Sequence, residues 1–267
     1  MTEHIFNYEN QVLHYYKIGN GSKSMLAFHG FGLTGKSFEP IAKILSEEYT
    51  VYSFDLFFHG KSHWGNIKEP LTKDYWGKLL SAFIEENNIL NFSILAFSLG
   101  GKFALATLEQ LSSRIEEMIM IAPDGIQTQI WYNLATYPVA FQDYFKSMIV
   151  RPKRFFNILD LIKRMGLLDK GISKFAASQM NSVKKRRRVY YSWVVFKNLT
   201  YDMKKIADEI NKNKISFTLY LGDFDKIITK QGMKKLTNLL DSHEITMLEC
   251  GHNNLIEYTA AFLVQNP

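Results

Sequence analysis

The sequence predicts an α/β protein: a mostly parallel central sheet flanked by helices, interrupted once by a helical insertion. Three observations predict it. Short apolar runs alternate with segments of helical periodicity along most of the chain, the pattern of right-handed βαβ units that feed a parallel sheet. The alternation stops over about 126–199, where the chain is helical in pattern, aromatic and basic. Finally, the apolar run 92–97 ends at Ser98 and is followed at once by Leu99, Gly100, Gly101 and a helical stretch. A hydroxyl therefore sits on a sharp strand-to-helix turn, where an exposed nucleophile would sit.

The elements follow in order. Residues 4–17 hold two extended stretches around Asn10, an opening hairpin, and 17–22 is a turn. Residues 25–29 form a short buried strand that runs into the glycine-rich loop 30–35. A helix is expected over 37–48, with Phe38, Ile41, Ile44 and Leu45 on one face. The strand 49–54 ends at Asp55, and a helix over 71–88 places Tyr75, Leu79, Leu80, Phe83 and Ile84 at helical spacing. After the serine turn comes a strand over 117–121, ending at Ala122-Pro123-Asp124-Gly125. Beyond the insertion, 217–221 is a strand leading to Gly222-Asp223-Phe224-Asp225, 229–241 a helix, 245–248 the last strand, and a C-terminal helix reaches about Gln265. The division expected is a core over 1–125 and 200–267, with a helical lid over 126–199 placed at the carboxyl ends of the strands, where open α/β sheets bind ligands.

Composition bounds the function. The 267 residues are 46% hydrophobic and 22% charged, enough to bury a large core. No run of 18 apolar residues appears, so no membrane span is expected. The first residues lack the basic and apolar regions of a signal peptide. A single cysteine, Cys250, excludes internal disulfides and suits a reducing compartment, so the expected location is cytoplasmic. The net charge of +6 is unevenly spread. Thirteen Lys and Arg between 146 and 188 face only Asp160 and Asp169, a local +11 that leaves −5 for the rest. Nucleic acid or an anionic membrane could dock on such a patch, but neither is the expectation.

The motifs stand in a definite order: His29-Gly30-Phe31-Gly32 after a strand, Asp55 to Ser62 after the next, the Ser98 turn, an acid after a late strand, and Gly251-His252 near the end. A serine hydroxyl needs a neighbouring base, and His252 follows a glycine at a strand end, which suits a side chain reaching back across the sheet. Capping or surface exposure is the bland alternative for it. In these motifs and their order the chain resembles the α/β-hydrolase superfamily over essentially its whole length. The resemblance implies the α/β-hydrolase fold and a Ser98, Asp225, His252 triad, because the family's pattern is a glycine followed three residues later by the acid. Asp223 and Asp124 are the alternatives for that acid, and Asp124 also reads as a turn residue. The resemblance places the oxyanion donors at the backbone amides of Phe31 and Leu99. Two departures stand out: Ala96 where the family turn has its first glycine, and Phe57-Phe58 where an Arg-Gly pair is usual.

The resemblance therefore implies a serine hydrolase of the carboxylesterase type acting on an ester or thioester through an acyl-enzyme, with no cofactor and no metal. A carboxylate nucleophile, which dehalogenases of this fold need, is absent from the turn. His59 reads as a loop hydrogen-bonder and Cys250 as a small buried residue. Successive helical residues lie about 100° apart, so Lys184-Lys185-Arg186-Arg187-Arg188 cannot all face solvent. Arg186, Arg187, Arg188 and Trp193 are candidate substrate-binding residues. The same basic lid could take a carrier-protein-linked or CoA-linked acyl group, or an acidic partner of a non-catalytic binding protein. Trp131, Tyr132 and Tyr137 belong to the same aromatic segment.

Overall fold

The computed structural model describes residues 1–67, 69–127, 139–166 and 170–266. Trp131, Tyr132 and Tyr137 lie outside the described residues. Among the described residues eight strands form one sheet: β1 (Thr2–Tyr8), β2 (Gln11–Ile18), β3 (Lys23–Phe28), β4 (Tyr49–Phe54), β5 (Phe92–Phe97), β6 (Ile115–Ile121), β7 (Ser216–Gly222) and β8 (Glu244–Leu248). Their order is β1-β2-β4-β3-β5-β6-β7-β8. Of these neighbours the β1–β2 and β2–β4 pairs are antiparallel, and the others are parallel.

The central parallel strands are buried, as strands covered on both faces must be. All six residues of β5 are buried, as are Met25 to Phe28 of β3. Their register pairs Phe28 with Ala96. The chain order turns back at β3, which lies between β4 and β5. Ligand sites of open α/β sheets form at such a reversal, beyond the carboxyl ends of the strands.

Three differences between the helices and the expectation bear on the fold. Over 37–48 only α1 (Glu39–Ile44) is α-helical, preceded by a 3₁₀ turn at Gly35–Phe38. Pro40 sits in its first turn, where a missing N–H costs nothing. Helix α2 (Lys73–Glu86) starts later than 71 because Thr72 caps it, its hydroxyl accepting from the Tyr75 amide. Trp76, Leu79, Leu80, Phe83 and Ile84 face inward from it, and the buried Trp76 indole N–H is satisfied by the Thr107 hydroxyl at 3.0 Å. Helix α3 (Gly100–Leu111) follows the serine turn.

Among the described residues, four helices lie in the segment of the insertion: α4 (Val139–Ser147), α5 (Lys153–Arg164), α6 (Lys170–Gln179) and α7 (Val183–Val195). The third difference is helix α8 (Met203–Asn213), between the insertion and β7, where the sequence pattern predicts no element. Asp202 caps it, and Ile206, Ala207 and Ile210 bury one narrow face. Helices α9 (Lys230–Thr237) and α10 (Leu255–Gln265) complete the chain. The residues group into two units, 1–66 with 71–127 and 199–267, and 67–70 with 128–198. The short stretch 67–70, which reads in sequence as part of the core, groups with the helical unit. No helix among the described residues is long and apolar enough to cross a membrane.

Candidate active site

The turn at Ser98 is built from both sides. Ser98 has φ +49°, a left-handed backbone that few non-glycine residues adopt. Its carbonyl accepts two amides, Gly101 N–H and Asp124 N–H, each at 2.8 Å, and its own N–H donates to Ile121 O at 3.1 Å. Those three bonds hold the strained residue in place. Gly100 allows the tight approach: a Cβ there would lie 1.8 Å from the Phe28 carbonyl oxygen. Ala96 causes no conflict, being a fully buried member of β5 opposite Phe28 and Met120.

His252 sits in a 3₁₀ turn (His252–Asn254) after β8. Its Nε2 is 2.9 Å from Ser98 Oγ, and its Nδ1 is 2.6 Å from Asp225 Oδ2. The other carboxylate oxygen of Asp225 accepts the Ile227 and Ile228 amides at 2.7 and 3.0 Å. Both oxygens of this buried acid are thus engaged, and one of them faces the ring. The imidazole is 11% exposed, and the Phe97 ring lies beside it at 5.1 Å between centroids, tilted by 31°. Of the alternatives, Asp223 is exposed and the Asp124 carboxylate accepts the Gly125 amide, a turn role.

The loop after β3 reaches the same place. Gly30 approaches so closely that a Cβ would meet the Phe97 ring at 2.7 Å and Ser98 Cβ at 3.3 Å. Gly32 has φ +85°. Buried His29 has a role that is not legible in sequence. Its Nε2 accepts the Leu56 N–H at 3.0 Å, which leaves Nδ1 to donate to Gly30 O at 2.7 Å. A neutral imidazole of one defined tautomer thus ties the glycine loop to the start of the Asp55–Ser62 loop. Phe31 follows directly in the loop, and its ring meets the His59 ring edge to face at 5.2 Å. His59 bonds the Phe57 carbonyl through Nδ1. Leu99 opens α3, where the first amides of a helix have no acceptor within it.

Asp55, also missed as a site-forming residue, anchors this loop pair. Its Oδ1 accepts Gly35 N–H at 2.8 Å, and its Oδ2 accepts Lys61 N–H and pairs with His14 Nδ1, both at 2.9 Å. One fully buried carboxylate so joins β2, the end of the glycine loop and the loop after β4. The spread of its partners over 14, 35 and 61 leaves no local sequence signal. Cys250, two residues before His252, is buried, and burial together with Asp225 and Asp223 pushes its thiol up. It is therefore held as a neutral thiol.

In the helical unit the basic run divides by helical phase. Arg186 is buried, donating to Ile149 O at 2.8 Å and Met180 O at 2.9 Å. Arg188 donates to Gln179 Oε1 at 2.8 Å and burial lowers its pKa. Arg187 is exposed. Trp193 packs against Phe145 with centroids 5.6 Å apart. Among the described residues, no three His, Cys, Asp or Glu side chains are placed to hold a metal ion.

A family model described as the alpha/beta hydrolase fold matches residues 23–259. The chain belongs to the α/β-hydrolase family. Curated relatives are "Putative esterase/lipase 3" of Mycoplasma pneumoniae, 28% identical over 138 residues, 49% of either chain, and "Putative esterase/lipase 2" of the same organism, 25% identical over 101 residues, 38% of this chain and 37% of the other. The chain thus spans half or less of the length of these relatives. Solved α/β-hydrolase structures share the fold at low identity. An alpha/beta hydrolase from a deep-sea metagenome library superposes with a TM-score of 0.70 at 17% identity, covering 98% of this chain and 95% of that one. The thioesterase domain of the curacin biosynthetic pathway gives 0.66 at 17%, covering 99% and 98%. A thermophilic esterase from Thermogutta terrifontis gives 0.66 at 15%, covering 96% and 92%.

Proposed function

We propose that this α/β-hydrolase is a serine hydrolase that cleaves a carboxylic ester or thioester through an acyl-enzyme on Ser98. The observation that carries the reading is one imidazole bridging two groups: His252 lies 2.9 Å from Ser98 Oγ and 2.6 Å from Asp225 Oδ2. A hydroxyl, a base and an orienting carboxylate in series are what activates a serine at neutral pH. The names of the relatives, esterase/lipase, agree in chemistry with it.

In this reading Ser98 Oγ attacks the substrate carbonyl carbon while Nε2 of His252 takes the hydroxyl proton. Asp225 holds Nδ1–H and stabilises the imidazolium. The carbonyl becomes an oxyanion that the Phe31 and Leu99 amides receive, each such donor worth about 3–4 kcal/mol of barrier. Nε2 then returns the proton to the departing alcohol or thiol as the carbon–oxygen or carbon–sulfur bond breaks. Water repeats the sequence on the acyl-serine, giving the carboxylic acid and free Ser98. Substrate preference is assigned to the basic aromatic segment 126–199, with Arg187, Arg188 and Trp193 as its candidate determinants.

The test is active-site labelling together with turnover. A fluorophosphonate should label the wild type at Ser98, and a chain-length panel of p-nitrophenyl esters and acyl thioesters should be hydrolysed. Ser98→Ala should abolish labelling and lower turnover by about four or more orders of magnitude. A folded wild type that is neither labelled nor active on any member of the panel would sink the proposal.

A further inference from the structure

The helical unit carries an exposed apolar and basic surface away from Arg187, Arg188 and Trp193 in sequence. Helix α5 buries Leu159 and half-buries Phe155, Phe156 and Ile162 on one side. At about 100° per residue, Ile158, Leu161 and Met165 fall in a second apolar stripe beside that face. They are exposed, Leu161 by 59% and Met165 by 62%.

The stripe continues onto α4. Arg154, one turn before Ile158, donates to the Ser147 hydroxyl, and its guanidinium carbon lies 5.3 Å from the centroid of the Tyr144 ring. Tyr144 and Phe141, one turn apart on α4, are likewise exposed. Exposed Arg151, Lys153 and Arg164 lie on α5 and the turn between the two helices. Over 139–166 six Lys and Arg stand against Asp143 and Asp160, and Asp160 is itself near Lys163 at 3.6 Å.

We propose that this α4–α5 face docks peripherally on an anionic phospholipid surface. Leu161, Met165 and Phe141 enter the boundary between headgroups and acyl chains, and Arg151, Lys153 and Arg164 meet the lipid phosphates. A helix with an exposed apolar stripe running beside a cationic one is built to lie in that plane. Charge complementarity selects the partner: a locally cationic face on a chain of net charge +6 is drawn to anionic lipid and gains little from a neutral one. An acidic protein would be satisfied by the charge alone and would leave the apolar stripe unexplained. The inference does not depend on the hydrolytic reading.

Flotation of the full chain with vesicles tests it, comparing phosphatidylcholine alone with phosphatidylcholine mixed with phosphatidylglycerol. The protein should float with the mixed vesicles, stay behind with the neutral ones, and be released by high salt. Lys153→Glu with Arg164→Glu should weaken binding about thirtyfold or more, from about a fivefold factor per basic residue lost, and the charge-keeping pair Lys153→Arg with Arg164→Lys should retain it. Leu161→Ser with Met165→Ser should weaken it by about tenfold or more. Circular dichroism establishes that each variant is folded. Failure to float with mixed vesicles overturns the proposal, and so does equal flotation with neutral ones. Flotation that none of the substitutions changes overturns it as well, as does capture by an acidic acyl carrier protein with no affinity for vesicles.

Discussion

Ser98 is held at φ +49°, a conformation that costs an L-residue about 1–2 kcal/mol. The structure offsets that cost with the two amides donated to the Ser98 carbonyl, so the strain belongs to the turn and not to a loose loop. Asp225 is fixed just as firmly. Two backbone amides occupy one of its oxygens, and the second reaches the His252 ring. Asp225→Asn keeps the size and can keep the amide contacts, but it presents no full charge and can offer an N–H where the ring needs an acceptor. The expected outcome is a fall in kcat of about 10⁴-fold with the fold intact, read by steady-state kinetics beside circular dichroism. A loss of less than about tenfold would move the orienting role elsewhere.

At the scale of elements, β6 shows what packing a parallel sheet can demand. Glu117 is half-buried on that strand, and burial pushes its carboxyl up, although the Tyr49 hydroxyl at 3.3 Å works the other way. A carboxylate with a raised folded-state pKa favours the folded protein only while it is protonated. Its contribution is therefore present at acid pH and lost as pH rises through the folded value. Glu117→Gln keeps an oxygen for Tyr49 and removes the ionisation. It should raise the thermal midpoint at neutral pH, and the gain should vanish below the ordinary glutamate range of about 4.3. Thermal melts across pH check this; a variant less stable than wild type at neutral pH would contradict it. Elements also mark where sequence reading ends. The strands were legible because a buried strand has to be apolar, as β3 and β5 are. Helix α8 was not, because Ile206, Ala207 and Ile210 are its only buried residues among many polar ones. Helix α1 was overextended because Leu45 keeps the apolar spacing just past the point where the helix stops, at Ile44.

At the scale of the whole molecule, the positive charge acts at a distance. A net +6 should raise the encounter rate of anionic substrates through its field. From about 0.01 M to about 1 M salt the Debye length falls from about 30 Å to about 3 Å. Over that range kcat/KM for an anionic ester should drop several-fold while that for a neutral ester of equal size stays level. Equal salt dependence of the two would show that the charge plays no part in encounter. The order of the motifs along the chain was legible because each follows a strand end, and the strands that carry them are parallel. The strand order was not, since placing β4 between β2 and β3 is decided by tertiary pairing. Nor was the fate of the basic run. Phase along a helix says that some arginines turn inward, but only the carbonyls of Ile149 and Met180 decide that Arg186 does.

The ladder between β3 and β5 has a further consequence. Phe28 faces Ala96, and two residues beyond each partner stand Gly30 and Ser98. The parallel pairing therefore works as a ruler: counting from one rung sets the glycine loop against the serine, with no side chain needed to measure the gap. Such a ruler tolerates substitution better than miscounting. Any small apolar residue in the rungs preserves the count, whereas one residue inserted or deleted in either strand would act as a structural frameshift, sliding the glycine loop out of step with Ser98.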